Sequence, residues 1–129
     1  MEFIFQHFTE IGFGLEAFPV VAFYVMLAVM ALDIITGLFK ALYTKEANSK
    51  YTYKGFIKKL SILAGIGLAV LLDLILSGGI AVISTGAIML MNIMEGLSVL
   101  ENLGAMGIYF PFISKRLEQV LEEQTDKGE

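Results

Sequence analysis

The sequence predicts an all-α integral membrane protein with three transmembrane helices, on three observations. The 129-residue chain is 57% hydrophobic and 17% charged, with a mean hydropathy of +0.75, outside the range of an ordinary water-soluble domain. Its charge is segregated: residues 40–59 hold six of the nine basic residues, and the last 12 residues are acidic. Between these lie three long, nearly uncharged stretches, bounded by a basic loop and by Gly-rich breaks.

Residues 1–18 place Ile4, Phe8, Ile11, Leu15 and Phe18 at helical spacing, with Glu2, Gln6, Thr9, Glu10 and Glu16 elsewhere. This pattern predicts an N-terminal amphipathic interfacial helix that is not anchored by anionic lipid, since its polar face carries no Lys or Arg. The same residues lack the basic n-region of a signal peptide.

The membrane domain is expected over residues 19–112, with spans at about 19–43, 56–77 and 80–103. In the first span Asp33, Thr36, Gly37 and Lys40 fall at i, i+3, i+4 and i+7 and form one polar stripe. A lipid-facing Asp at mid-depth costs about 2.5–3.5 kcal/mol on insertion scales, so the stripe is expected to face protein or water. It serves either an internal hydrogen bond within one copy or a face used in assembly or lining a passage. Residues 44–55 form the polar loop, with Lys45, Lys50 and Lys54 against Glu46, and Lys58 and Lys59 are expected to snorkel to the surface beyond it. In the second span Ser61, Gly65, Ala69 and Asp73 succeed each other at i+4, a ridge of small residues ending in a carboxylate and suited to close helix packing.

Ser77, Gly78 and Gly79 predict a tight turn into the third span, where Asn92, Glu95, Val99 and Asn102 lie along one side. Gly104, Gly107 and Pro111 break that helix, and Tyr109, Phe110 and Phe112 suit an interfacial aromatic belt. Residues 113–129 are expected to form a short cytoplasmic amphipathic helix, built on Ile113, Leu117, Val120 and Leu121, that dissolves into a solvated acidic tail.

Placing the basic loop in the cytoplasm puts the N-terminus outside and the C-terminus inside, with every Lys and Arg on or near the cytoplasmic side. At about 1.5 Å per residue, Asp33 lies roughly 21 Å below Pro19 and Glu95 roughly 22 Å below Ile80. The two carboxylates therefore reach one layer, where they are expected to share a proton, pair with Lys40 or face water. With no cysteine and a single histidine, His7, the inventory argues against catalysis and against a metal or cofactor site, and the segregated charge argues against nucleic-acid binding.

The motifs Asp33-Ile34-Ile35-Thr36-Gly37, Ser49, Lys54-Gly55-Phe56-Ile57-Lys58-Lys59, Asp73 and Glu95-Gly96-Leu97-Ser98-Val99-Leu100-Glu101-Asn102 occur in collinear order. Over residues 25–115 they make the sequence resemble the toxin-secretion/phage-lysis holin family. Members often carry Asn immediately before the membrane Glu, where this chain has Met94, and two prolines near the end of the match, where it has only Pro111. The resemblance implies a small phage protein that accumulates in the host cytoplasmic membrane, associates with itself in the bilayer and opens lesions at a set time. An endolysin then passes as cargo, without specific contact. Some relatives are associated with toxin release. On the residues alone, a small ion or metabolite transporter and an accessory subunit remain alternatives, although no inverted repeat supports the transporter. The residues expected to carry assembly or line a hole are Asp33, Thr36, Gly37, Lys40, Ser61, Gly65, Ala69, Asp73, Asn92, Glu95 and Asn102.

Overall fold

The computed structural model describes Glu2 and residues 18–46 and 49–127. The described residues form four helices: α1 (Val20–Tyr43), α2 (Ser49–Leu76), α3 (Ile83–Ala105) and α4 (Pro111–Lys127). Three of them, Val20–Tyr43, Thr52–Leu76 and Ile83–Ala105, are long and apolar enough to cross a membrane. The interfacial helix expected over residues 1–18 lies almost wholly outside the described residues.

Each helix stops for a local reason. At the end of α1 the Thr44 N–H donates to the Lys40 carbonyl at 2.9 Å, and the Glu46 N–H reaches back to the Ala41 carbonyl at 2.9 Å. This closing turn sets Lys45 at φ +60°, a left-handed conformation more often given to glycine. The link to α2 is short, because α2 begins at Ser49, inside the stretch expected to be loop. Residues 50–54 contain no Gly or Pro, and their polarity does not oppose a helix outside lipid. Between α2 and α3, Gly78 and Gly79 both take positive φ, which lets the chain reverse within a few residues. The third helix therefore starts at Ile83, a little later than expected. After α3, Gly107 at φ +82° and the Ile108 N–H bonded to the Leu103 carbonyl turn the chain back on itself. The last helix then runs through to Lys127 rather than dissolving, since the EEQTDK stretch is made largely of good helix formers.

α3 is the central element: it packs against α1, α2 and α4, and most extensively against α1, while α1 and α2 touch only sparingly. The buried apolar core is Met26 and Met30 of α1, Ile66 of α2 and Ile88 of α3. The inner face of α2 follows Lys59, Ile62, Ile66, Ala69 and Asp73, alternating steps of three and four as in a coiled-coil seam. Most other large apolar side chains point outward, among them Phe39, Leu68, Leu71 and Ile75, the last 77% exposed. For helices of this length, such a surface matches a lipid solvent.

Candidate functional site

The polar residues collect in two clusters at different heights in the bundle. The first joins all three long helices. Lys59 of α2 is an ion-pair partner of both Asp33 of α1, at 2.5 Å from Nζ to Oδ2, and Glu95 of α3. All three are largely enclosed, with side-chain exposures of 12%, 13% and 8% for Lys59, Asp33 and Glu95. Asn102 completes the cluster from α3. Its side-chain amide donates to Asp33 Oδ1 at 3.0 Å, to the Asp33 carbonyl at 3.2 Å and to Thr36 Oγ1 at 3.1 Å. Thr36 in turn donates to the Leu32 carbonyl at 2.7 Å, so its hydroxyl is used in both senses. Gly37 lies beside it: a Cβ there would stand 3.6 Å from the Asn102 amide nitrogen, an ordinary contact, so the approach does not depend on glycine.

Electrostatically the cluster holds one cation between two carboxylates. In a low dielectric, attraction to Lys59 offsets the repulsion between Asp33 and Glu95, and the Asn102 amide satisfies further lone pairs on Asp33. Lys59 therefore does not snorkel, and Lys40, one of the alternatives expected for the carboxylates, makes no ion pair with either acid. Adjacent helical residues project about 100° apart, so only one of Lys58 and Lys59 can face inward. Lys58 is exposed and Lys59 is turned in, where two carboxylates await it. An open cleft of about 210 Å³ between α1 and α2 reaches this pair, lined by residues including Asp33, Gly37, Ala41, Glu46, Gly55 and Lys59.

The second cluster ties α2 to α3. Asp73 is fully buried. Its Oδ1 accepts from the Ile83 N–H at 2.8 Å and Ser77 Oγ at 3.1 Å, and its Oδ2 accepts from the Ser84 N–H at 2.8 Å and Ser84 Oγ at 2.6 Å. The carboxylate thus caps the first turn of α3 from a neighbouring helix, meeting donors that the helix itself leaves unpaired and the positive end of its dipole.

The ridge expected along α2 does not form one face. Ser61 and Gly65 are exposed, whereas Ala69 and Asp73 are buried. A strict i+4 row rotates about 40° per step on a helix of 3.6 residues per turn, so it spirals from lipid into the core. Asn92 also stands apart from the first cluster, donating its amide to the Ala22 carbonyl at 3.0 Å. Lys59 and Ser84 escaped the sequence reading as site residues. The signal for Lys59 was its place on the Ile66–Asp73 seam; Ser84 had none beyond its position at the start of a helix.

The match to protein-family models settles what kind of membrane protein carries these clusters. The model of the bacteriophage holin family matches residues 15–123. The chain belongs to the bacteriophage holin family. Holins are a non-enzymatic class of membrane proteins that form pores. Among similar proteins, a "Probable holin" of Bacillus phage phi105 is 31% identical over 103 residues, covering 79% of this chain and 75% of its own. An uncharacterized 14.9 kDa protein of Clostridium perfringens is 32% identical over 115 residues, covering 89% and 83%. The uncharacterized protein YqxH of Bacillus subtilis is 30% identical over 100 residues, covering 77% and 71%. No solved structure matches the holin chain.

Proposed function

We propose that this chain accumulates in the host bacterial cytoplasmic membrane, associates with further copies of itself and opens lesions through which an endolysin reaches the cell wall. The basic link between α1 and α2 lies in the cytoplasm, which sets the N-terminus outside and the C-terminus inside. The cargo passes through the lesion without specific contact.

The observation that carries this reading is the Asp33–Lys59–Glu95 cluster, folded between three long helices whose outward side chains are largely apolar. A copy dispersed in lipid needs its charged groups paired internally, because hydrocarbon offers them no solvent. Copies surrounding a water-filled hole can hydrate those same groups. The cluster therefore gives the bundle two arrangements of comparable cost, and the concentration of copies decides between them. Asp33, Thr36, Gly37, Lys59, Glu95 and Asn102 form the polar face that changes surroundings. Ser61 and Gly65 lie where a neighbouring copy approaches, while Asp73 and Ser84 hold the α2–α3 hairpin in either arrangement.

Inducible expression in a bacterium, with and without a cytoplasmic endolysin, tests the reading. We expect normal growth, then abrupt loss of the membrane barrier, with cell-wall breakdown only where the endolysin is present. Gradual, substrate-specific flux without collapse of the barrier would favour a transporter instead.

A further inference from the structure

α4 lies in an unexpected place for a charged helix. Its Leu117 packs where a Cβ on Gly96 would stand, 3.3 Å from Leu117 Cδ1. Gly96 is nine residues before the end of α3, well inside the stretch able to cross a membrane. α4 thus runs back along α3 as the second arm of a helical hairpin, held there by the Gly107 turn and by Tyr109 against Gly104. Among the described residues it packs against α3 and against neither α1 nor α2, so it covers a side of the bundle of its own.

The side that α4 presents outward is charged: Lys115, Arg116, Glu118, Glu122, Glu123 and Asp126 are all exposed. Lipid cannot solvate such a face, whereas water can. α1 and α2 instead present Phe39, Leu68, Leu71 and Ile75, which water cannot favour. A protomer in this conformation carries a lipid-compatible surface and a water-compatible surface on different helices.

We infer that the α4-covered side meets the water of the lesion beside the Asp33–Lys59–Glu95 face, and that α4 docks on α3 only in copies bordering water, before that cluster is itself hydrated. In a copy surrounded by lipid, α4 swings off α3 at the Gly107 turn and stays in the aqueous phase. This inference rests on the lesion-forming reading above and adds a second surface that meets the lumen and the helix that moves.

The chain has no cysteine, so a Gly96→Cys/Leu117→Cys variant can report docking by disulfide formation. Replacing Leu117 also removes the atom that a larger residue at 96 would meet. Samples are oxidised briefly before and after the barrier of expressing cells collapses. We expect the fraction cross-linked within one chain to rise severalfold at collapse, and chains cross-linked beforehand to open lesions no later than reduced ones. A fraction that stays constant across collapse, or a cross-link that delays collapse, overturns the inference. Collapse without cross-linking overturns it while leaving the holin reading intact; absence of collapse in the unaltered chain overturns that reading itself. A second measurement needs no pair of cysteines. In planar bilayers, Glu118→Lys with Glu122→Lys should move the reversal potential of the earliest conductance steps toward anion selectivity. An unchanged reversal potential would also overturn it.

Discussion

Lys59 and Asp33, 26 residues apart on antiparallel helices, meet as an ion pair of 2.5 Å, and the same amine also holds Glu95 of the third helix. One lysine therefore links all three spans. The arrangement is asymmetric in what its loss would do. Removing either acid leaves a balanced pair, but removing the amine leaves two carboxylates facing each other in a low dielectric.

Lys59→Met should accordingly be the most destabilising single change in the cluster, by about 3–5 kcal/mol, the range for stripping one partner from a buried charge pair. Combining it with Asp33→Asn and Glu95→Gln removes the stranded charge and should recover most of that loss. Thermal unfolding of the detergent-solubilised chain, followed by circular dichroism, compares the single and triple variants. Equal unfolding temperatures for wild type and Lys59→Met would mean that the ion pairs contribute nothing.

Asp73 makes a different prediction, because its partners belong to one hairpin. Asp73→Ala leaves the Ile83 and Ser84 N–H groups without their acceptor and should cost about 2–3 kcal/mol, as expected for hydrogen bonds to a charged group. Ser84→Ala removes one hydroxyl donor while keeping the backbone bonds, and should cost about 1 kcal/mol. Limited proteolysis at the Gly78–Gly79 turn gives the ranking: faster cleavage for Asp73→Ala than for Ser84→Ala, and both faster than wild type.

The lipid-facing side of α2 is tested by bulk rather than charge. At Gly65 an added Cβ meets nothing within 4 Å. Gly65→Leu should therefore leave the fold of the single chain unchanged and weaken contacts between copies, through loss of close backbone approach. Ala69 is buried, so Ala69→Leu should disturb the bundle itself. Chemical cross-linking beside a thermal melt separates the two effects. Normal oligomer ladders for Gly65→Leu would remove this surface from the assembly.

How much of this was legible in the sequence follows from what a helix can report about itself. Length and apolarity are properties of single segments, so three helices able to span follow from composition without knowing their neighbours. The stripe from Asp33 to Gly37 also follows, since residues three and four apart share a face, but its pairing with Asn102 of another helix does not. Nor does the charged partner of Asp33. Lys40 and Lys59 were both available, and the choice depends on which face of α2 turns inward, a property of the packed bundle. The i+4 ridge misled for a related reason: small residues mark close approach, but Ser61 and Gly65 diverge from Ala69 and Asp73 by the helix's own rotation. The folding back of α4 rests on the Gly107 turn and the fit of Leu117 to Gly96, neither of which a helical periodicity encodes.

Orientation in the membrane is open to direct test because the chain has no cysteine. The basic link predicts that Gly78→Cys reacts with an impermeant thiol reagent added outside intact cells, before any loss of the barrier, and that Asn48→Cys does not. Reaction of Asn48→Cys from outside would invert the assignment.

Asp33 allows the sharpest test of function, because its carboxylate joins Lys59, Asn102 and, through Asn102, Thr36. Asp33→Asn keeps the size of the side chain and its carbonyl oxygen, so contact with Asn102 survives in part while the charge is lost. Lys59 then has Glu95 alone, and the cluster becomes neutral overall. A neutral, fully paired cluster is better suited to lipid than one with an excess carboxylate, so insertion should be unchanged or improved. The closed bundle is thereby favoured over the hydrated arrangement, and the collapse of the barrier should come markedly later or fail. Asp33→Leu removes the hydrogen bond as well, leaves the Asn102 amide short of an acceptor and should disturb timing more. Immunoblotting of membrane fractions beside the time course of barrier loss distinguishes an expression defect from a change in opening. Equal membrane levels with unchanged onset in both variants would reduce Asp33 to a packing residue, and the cluster would then hold the fold without governing the lesion.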